Sequence, residues 1–241
     1  MILSSARLAL RDIVSPPFRS TLWKVLGLTA VVLVALWFGV RWLFAAVAIP
    51  FFADFAPDMP AWIDNAGAFA GIAAGIVLAV LMAFLIAPVS AIIAGLFLDD
   101  VAEAVERKDY ADQPEGRALP LVRGMVLSVK FFGIVILGNL IAFALLWVPL
   151  VNVGAFFVVN GYLLGREYFQ FASLRYRSED QAAAMRNRNG GRIFIAGLVI
   201  AACLAIPIVN LLTPLFAAAM MVHLHKLVSA RTSAATESAH T

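Results

Sequence analysis

The phrases Pro149-Leu150-Val151-Asn152 and Pro207-Ile208-Val209-Asn210 each interrupt a long apolar run, and they lie 58 residues apart. The two runs cover residues 131–164 and 193–222. Proline cannot donate the helical backbone hydrogen bond, and its ring clashes with the preceding turn. An asparagine side chain can satisfy the backbone groups that the proline leaves unpaired. We therefore predict a break at corresponding places in both apolar segments.

The composition of the chain is that of an integral membrane protein. Its 241 residues are 63% hydrophobic and 14% charged, with a mean hydropathy of +0.92. A soluble domain has roughly 45–50% apolar and about 25% charged residues. The formal net charge of +3 is small and no basic strip is interleaved with aromatic residues, so we expect no nucleic-acid partner. The only cysteine, Cys203, excludes an intrachain disulfide. We predict an all-α membrane protein.

Four apolar blocks define the expected helices, at residues 22–52, 66–98, 131–164 and 193–222. Each exceeds the ~20 residues that span a hydrocarbon core of ~30 Å. The first long helix should begin near Pro17, because proline is favoured in the first turn, and run through Phe52. The second should bend at Pro88 and leave the membrane as one helix through Glu106, with its acidic side chains in water.

Basic residues in the connecting segments predict the topology. The connector 53–65 has three aspartates and no Lys or Arg, whereas 99–130 and 165–192 hold several basic residues. Because short cytoplasmic loops contain the excess of Lys and Arg, we place both termini and all segments from residue 99 onward on the cytoplasmic side. The first two blocks then cross the membrane once each. The last two form re-entrant hairpins that turn at the Pro-Asn phrases, with ordinary proline-kinked helices as the alternative.

The N-terminal and C-terminal segments differ in composition from the apolar blocks between them. Residues 2–14 place apolar side chains largely on one side of a helix and two arginines on another, which is typical of an amphipathic helix lying in the membrane interface. Residues 229–241 are rich in Ser, Thr and Ala, and we predict a disordered tail there. Residues 1–228 are expected to form one membrane domain.

Arg19 is the first candidate for a binding residue. It follows a helix start announced by Ser15-Pro16-Pro17. Helix N-termini attract anions, and an arginine adds a planar pair of donors suited to oxyanions. The alternative is a topology-determining arginine that contacts lipid headgroups.

The two predicted hairpin apices are the second candidate site. Broken apolar segments at matching positions in two halves of a chain are typical of transporter binding sites. Asn152 and Asn210, with Pro149 and Pro207, would line the pathway of a dehydrated anion. The same amides could equally form hydrogen bonds between helices.

No enzyme motif is present in the sequence. It contains no nucleophile motif, no Walker loop and no HExxH, and we expect neither an enzyme nor a cofactor. His223 and His225 point to different faces of a helix and lack a third ligand, so we predict no metal site.

Several stretches resemble the CysZ-type sulfate permeases and their etoposide-induced-protein relatives. They are the run Asn160-Gly161-Tyr162-Leu163-Leu164-Gly165-Arg166-Glu167-Tyr168 followed by Arg175, the phrase around Pro207 to Pro214, Met221-x-His223, and Leu98-Asp99-Asp100-Val101 after the long second block. The resemblance covers about residues 2–228. It implies two long spanning helices and two hemi-penetrating helix pairs in a homo-oligomer of the bacterial inner membrane, surrounded by lipid. It also implies uptake of sulfate or sulfite for cysteine synthesis.

The resemblance extends only in part to the segment that binds sulfate in this family. CysZ-type proteins bind sulfate at a Gly-Leu-Arg stretch that begins the first spanning helix. This chain has Pro17-Phe18-Arg19 there, so that only Arg19 matches. The rival functions are a membrane scaffold without a substrate and a transporter of another small solute.

Overall fold

The computed structural model describes residues 1–43, 46, 75–76, 79–80, 82, 89, 92–118, 120 and 149–238. Its principal helices are α1 (Ile2–Ile13), α2 (Pro16–Leu43), α3 (Leu98–Asp109), α4 (Pro149–Leu174), α5 (Glu179–Arg188), α6 (Gly190–Leu204), α7 (Pro207–Asn210) and α8 (Thr213–Ser238). The described residues contain no strand. The prediction of an all-α protein is therefore confirmed.

The chain divides into two compact units, and the single membrane domain expected over 1–228 stays a prediction. One unit comprises Met1–Leu22 with Leu96–Thr241, and the other comprises Trp23–Gly95. Helices α1 and α3 to α8 belong to the first unit, as does the first part of α2.

Helix α8 is the core of the first unit. Residues 213–226 are buried without exception, so this part of the helix is covered on every side. It packs against α1, α3, α4 and α6. A helix that is apolar all round is stable only when it is buried in this way. Three titratable side chains, His223, His225 and Lys226, enter the core on the same helix.

Helices α4 and α6 pack against each other at glycines. Gly161 and Gly165 on α4 face Gly197 on α6, and a Cβ atom added at Gly197 would overlap the backbone oxygen of Gly161. Small residues four apart let two helix backbones approach closely. The short separation is possible only because these positions have no side chain.

The two N-terminal helices begin close to where the sequence places them. The helix predicted over 2–14 is α1, and the helix predicted to begin near Pro17 begins at Pro16. Helix α2 is described as far as Leu43, so its predicted end at Phe52 lies outside the described residues. Within those residues, Phe18–Leu43 is the one helix long and apolar enough to cross a membrane, with a mean hydropathy of 2.0.

The segment around Glu106 differs from its prediction in two respects. The predicted single helix through Glu106 is interrupted at Phe97, and α3 begins as a separate helix at Leu98. The Glu106 side chain is buried and does not face water. The physical reason is a buried arginine, Arg175, which supplies the counter-charge within the protein.

The C-terminal segment also differs from its prediction. Helix α8 continues through Ser238, where the sequence predicted a disordered tail over 229–241. Alanine has the highest helix propensity, and the Thr232 hydroxyl donates a hydrogen bond to the Val228 carbonyl one turn earlier. Residues 239–241 lie outside the described residues.

Candidate functional site

The predicted anion-binding segment lies at the beginning of α2. The Phe18 side chain is 1% exposed, whereas Arg19 is exposed to solvent. Among the described residues, none forms an ion pair with Arg19. Its guanidinium is therefore available for an external anion.

The first turn of α2 offers few backbone donors to such an anion. Pro16 and Pro17 have no N–H, and the N–H of Arg19 donates to the Ser15 carbonyl at 2.9 Å. The N–H of Ser15 donates to the Asp12 carbonyl at 2.8 Å. A helix start normally exposes the N–H groups of its first four residues. In α2 only the Phe18 N–H is left to bind an anion. Anion binding here would depend mainly on the Arg19 side chain.

One of the two predicted hairpin apices, at Pro207 to Asn210, coincides with helix boundaries. Pro207 is the first residue of α7, as expected of a proline with no N–H to donate. Pro149 is the first described residue of α4, and residues 121–148 lie outside the described residues. Asn152 lies in the first turn of α4, and Asn210 is the half-buried last residue of α7. The apolar block 193–222 is thus broken between α6 and α8. The first leg of the other hairpin lies outside the described residues.

A cluster of buried charges lies around Arg175, just after the end of α4. Its guanidinium donates from Nε to Glu106 Oε1 at 3.0 Å, from Nη2 to Glu106 Oε2 at 3.3 Å, and from Nη1 to Asp99. The Tyr176 hydroxyl and the Gly116 N–H also donate to the Glu106 carboxylate. Arg175 and Glu106 are each 2% exposed at the side chain. We call these residues the Arg175 cluster.

The hydrogen bonds of the Arg175 cluster decide the charge state of Glu106. Burial raises the pKa of a carboxyl group, but the bonds from Arg175, Tyr176 and Gly116 outweigh it and hold the pKa of Glu106 below its usual 4.5. Burial raises the pKa of Asp99, where the opposing attraction of Arg175 is too weak to reverse it. The cluster therefore contains an ionised Glu106 at neutral pH.

His225 packs between aromatic rings on the α4 side of α8. Its ring stacks on Tyr176 at 4.9 Å between centroids and 8° between planes, and it contacts Phe169 at 6.1 Å. Burial, followed by the charges of Arg177 and Lys226, lowers the pKa of His225 to about 3. Neither ring nitrogen has a hydrogen-bond partner among the described residues. This histidine acts as a neutral aromatic residue.

The replacement His225→Phe tests that role. Phenylalanine keeps the stacked ring and removes two buried polar atoms that lack partners, each of which costs about 1–3 kcal/mol when it is left unsatisfied. We expect the midpoint of thermal unfolding in detergent to stay the same or rise. His225→Ala, which removes the ring, should lower it. A clear loss of stability in His225→Phe would show that the ring nitrogens bind a group such as an ordered water.

A second cluster joins α1, the end of α3 and α8. Asp12 Oδ2 lies 2.7 Å from His223 Nε2, and Lys108 Nζ lies 2.5 Å from Asp12 Oδ1. Burial raises the pKa of Asp12, but hydrogen bonds from His223 and Lys108 outweigh it and lower the pKa below 3.8. The Tyr110 hydroxyl lies 2.9 Å from His223 Nδ1, and burial followed by the Asp109 and Asp12 charges raises the pKa of Tyr110 to about 12. We call this group the Asp12 cluster.

Sequence reasoning missed both clusters. It treated Glu106 as a water-facing residue and did not single out Asp12. One sequence signal was available for Glu106, because none of its neighbours three or four positions away is basic, whereas Glu103 has Arg107. A glutamate that is buried beside valines needs a basic partner. When no basic residue is near it in the sequence, that partner must come from a distant part of the chain.

Most of the chain matches a known protein family. Residues 5–214 match one protein family, which is described as sulfate transporter CysZ/Etoposide-induced protein 2.4. The matched part includes Arg19 and both Pro-Asn phrases, and it includes Asp12, Glu106 and Arg175. His223 and His225 lie beyond it. No curated protein matches the chain.

Proposed function

Since the chain belongs to the sulfate transporter CysZ/etoposide-induced protein 2.4 family, we propose that it transports a small oxyanion, sulfate or sulfite, across a membrane. The observation that supports this proposal most directly is an exposed Arg19 at the start of the apolar helix α2, with no ion-pair partner in the described part of the chain. Uptake of this kind would feed cysteine synthesis from the inner membrane of a bacterium. Such transport requires no enzyme chemistry and no cofactor.

The exposure of α2 supports a location in lipid. This helix is apolar, yet only 11% of its most apolar stretch is buried within the protein. In water, so many exposed apolar side chains would be unfavourable. Its 26 residues from Phe18 to Leu43, at ~1.5 Å per residue, reach about 39 Å and exceed the ~30 Å core of a bilayer.

The exposed side of α1 supports an interfacial position for this helix. Ser5, Ala9 and Asp12 are buried on one side of it. Leu3, Leu10 and Val14 are 84%, 58% and 69% exposed on α1 and the residue after it. Apolar side chains on an otherwise charged helix are stabilised at the boundary between headgroups and acyl chains. We place α1 there, on the cytoplasmic surface.

The lengths of the helices support a re-entrant hairpin in the last apolar block. Helix α6 has 15 residues and is about 22 Å long at ~1.5 Å per residue, too short to cross ~30 Å of hydrocarbon. Irregular backbone follows it at 205–206 and 211–212, which is tolerated at membrane depth only where protein or water covers it. In this proposal α6 enters from the cytoplasm and α8 returns there. The same arrangement is proposed for the block that contains Pro149, and Asn152 and Asn210 would line the pathway in a homo-oligomer.

The replacement Arg19→Ala tests the proposed substrate site. A hydrogen bond to a charged group contributes about 1.5–3 kcal/mol, and 1.4 kcal/mol corresponds to a factor of ten in affinity. We therefore expect the initial uptake of radiolabelled sulfate into proteoliposomes, at low sulfate concentration, to fall about tenfold or more. Arg19→Lys should retain part of it, because the ammonium keeps the charge without the planar pair of donors.

The matched control for this experiment is Arg7→Ala. Arg7 is another exposed arginine, located on α1, so its loss changes the net charge equally. Equal incorporation of all variants into the vesicles is confirmed by immunoblot. If Arg19→Ala transports sulfate as fast as Arg7→Ala does, Arg19 does not bind the anion.

A scaffold without a substrate is the second candidate function. It is favoured by one observation, that the buried charges Asp12, Glu106, Arg175 and Lys226 all have partners within the protein. A bound ligand raises stability by RT ln(1 + [L]/Kd). Sulfate transport therefore predicts a higher melting temperature in millimolar sulfate, and no change favours the scaffold. Competition by selenate or phosphate would identify a transporter of another solute.

A further inference from the structure

Three potential metal ligands meet in the Asp12 cluster, where α1, the end of α3 and α8 come together. His223 Nε2 lies 2.7 Å from Asp12 Oδ2 and 3.8 Å from Asp109 Oδ2. The three atoms all lie within 4.8 Å of one another. The expectation of no metal site rested on the absence of a third ligand beside His223 and His225. The fold provides two carboxylates that no sequence spacing could indicate.

The ligand atoms are withdrawn from water. The side chains of His223 and Asp12 are 0% and 2% exposed, and that of Asp109 is 17% exposed. Asp109 Oδ2 is itself buried and accepts no hydrogen bond within the described part of the chain. A buried carboxylate oxygen without a donor is costly, and such oxygens often coordinate a cation. The unsatisfied atom thus faces the same imidazole nitrogen as Asp12 does.

The other atoms of these side chains are held by the surrounding protein. Lys108 Nζ lies 2.5 Å from Oδ1 of Asp12, and an Arg11 guanidinium nitrogen lies 3.6 Å from Oδ1 of Asp109. The Oδ1 atom of each aspartate therefore has a basic partner, and the Oδ2 atom of each aspartate faces His223. The Tyr110 hydroxyl lies 2.9 Å from His223 Nδ1. A hydroxyl can donate or accept, so it can stabilise the Nδ1–H tautomer that leaves Nε2 free to bind a metal.

We propose that Asp12, Asp109 and His223 form a binding site for a divalent transition-metal ion, with Zn²⁺ as the ion that best suits the ligands. Zinc binds imidazole nitrogen and carboxylate oxygen at ~2.0–2.2 Å, which separates neighbouring ligand atoms by about 3–4 Å. Of the observed separations, 3.8 Å lies within that range and 2.7 Å is slightly shorter, so that a small movement of Asp12 would admit the ion. An imidazole ligand disfavours Ca²⁺ and Mg²⁺, which prefer oxygen ligands. The ion would link three helices and stabilise their packing, whatever solute the protein transports.

The direct test is zinc titration of the full-length protein in detergent, after removal of any affinity tag and treatment with a chelator. We expect one equivalent of Zn²⁺ to bind by calorimetry and to raise the melting temperature. Asp109→Asn should weaken binding at least about 100-fold, because even changes around a ligand cost 10–100-fold. Asp112→Asn, a change of an exposed aspartate three residues further on, should bind Zn²⁺ as the wild type does.

A second measurement needs no variant. X-ray absorption spectra of the zinc-loaded wild type should show nitrogen and oxygen ligands with the scattering of one imidazole. The proposal is wrong if the wild type binds no stoichiometric Zn²⁺, since hydrogen bonding between His223 and the carboxylates would then explain the cluster. It is equally wrong if Asp109→Asn binds Zn²⁺ as tightly as the wild type, or if the spectra show two or more imidazoles.

Discussion

The replacement Glu106→Gln should destabilise the protein by about 3–5 kcal/mol, the usual cost of removing one partner from a buried ion pair. The Arg175 guanidinium donates two hydrogen bonds to Glu106, and both side chains are 2% exposed. Without the carboxylate, Arg175 would keep Asp99 as its acidic partner, and Asp99 is more exposed. We expect a large fall in the midpoint of thermal unfolding in detergent.

The matched control is Glu103→Gln on the same helix. Glu103 pairs with Arg107 one turn away, but their side chains are 44% and 66% exposed. Exposed pairs at this spacing contribute about 0.3–0.5 kcal/mol, so this variant should unfold close to the wild type. The double variant Glu106→Gln with Arg175→Gln should recover part of the lost stability, because it also removes the buried guanidinium that has lost its buried partner. If Glu106→Gln and Glu103→Gln lowered the unfolding midpoint equally, that result would contradict a buried ion pair at Glu106.

The pH dependence of stability provides an independent measurement on Glu106. Its pKa lies below 4.5 in the folded protein, so the unfolded chain binds more protons as the pH falls through 4.5. The stabilisation by Glu106 is therefore complete above pH 4.5 and is lost as the pH falls through the lower, folded pKa. Glu106→Gln should show a shallower decline of stability over this acidic range than the wild type does. An unchanged slope would contradict the lowered pKa.

The second large effect is expected at the contact between α4 and α6. Gly197→Ala would place a methyl group against the backbone oxygen of Gly161, and rotation of a side chain could not relieve that overlap. Overpacking in a close-packed interior typically costs 1–3 kcal/mol and occasionally more, and we expect a cost of about 3 kcal/mol here because the clash is with backbone. The measurement is the melting temperature together with the yield of monodisperse protein.

Gly154→Ala is the matched control for this substitution. Gly154 lies on α4, and a Cβ atom there would have no neighbour within 4 Å. Alanine is favoured over glycine in a helix by up to about 1 kcal/mol, so this variant should be as stable as the wild type or slightly more stable. If Gly197→Ala and Gly154→Ala behave alike, the helices do not pack at the glycines.

Local features of the sequence were enough to predict several elements. Proline lacks an N–H, so the helix starts at Pro16 and Pro207 agree with the predicted boundaries to within about one residue. The amphipathic helix at the N-terminus followed from the positions of its side chains. The proposed substrate site stays a prediction, because Arg19 is exposed and the structure brings no second described residue to it.

Two predictions, one from periodicity and one from composition, were less successful. The acidic side of α3 looked solvent-exposed, yet Glu106 is buried, and the polar tail after Val228 looked disordered, yet it is helical through Ser238. Periodicity identifies which residues share one side of a helix. It does not identify what covers that side.

By itself, the sequence determined that the protein is helical and belongs in a membrane, and it located the helix starts at Pro16 and Pro207. Those properties depend on apolar length and on backbone chemistry, which act within a few residues. Only the tertiary structure decided the partners of the buried charges, because Asp12 meets His223 across 211 positions and Glu106 meets Arg175 across 69. Electrostatic attraction acts through space, so the order of residues along the chain cannot reveal which charges will be neighbours.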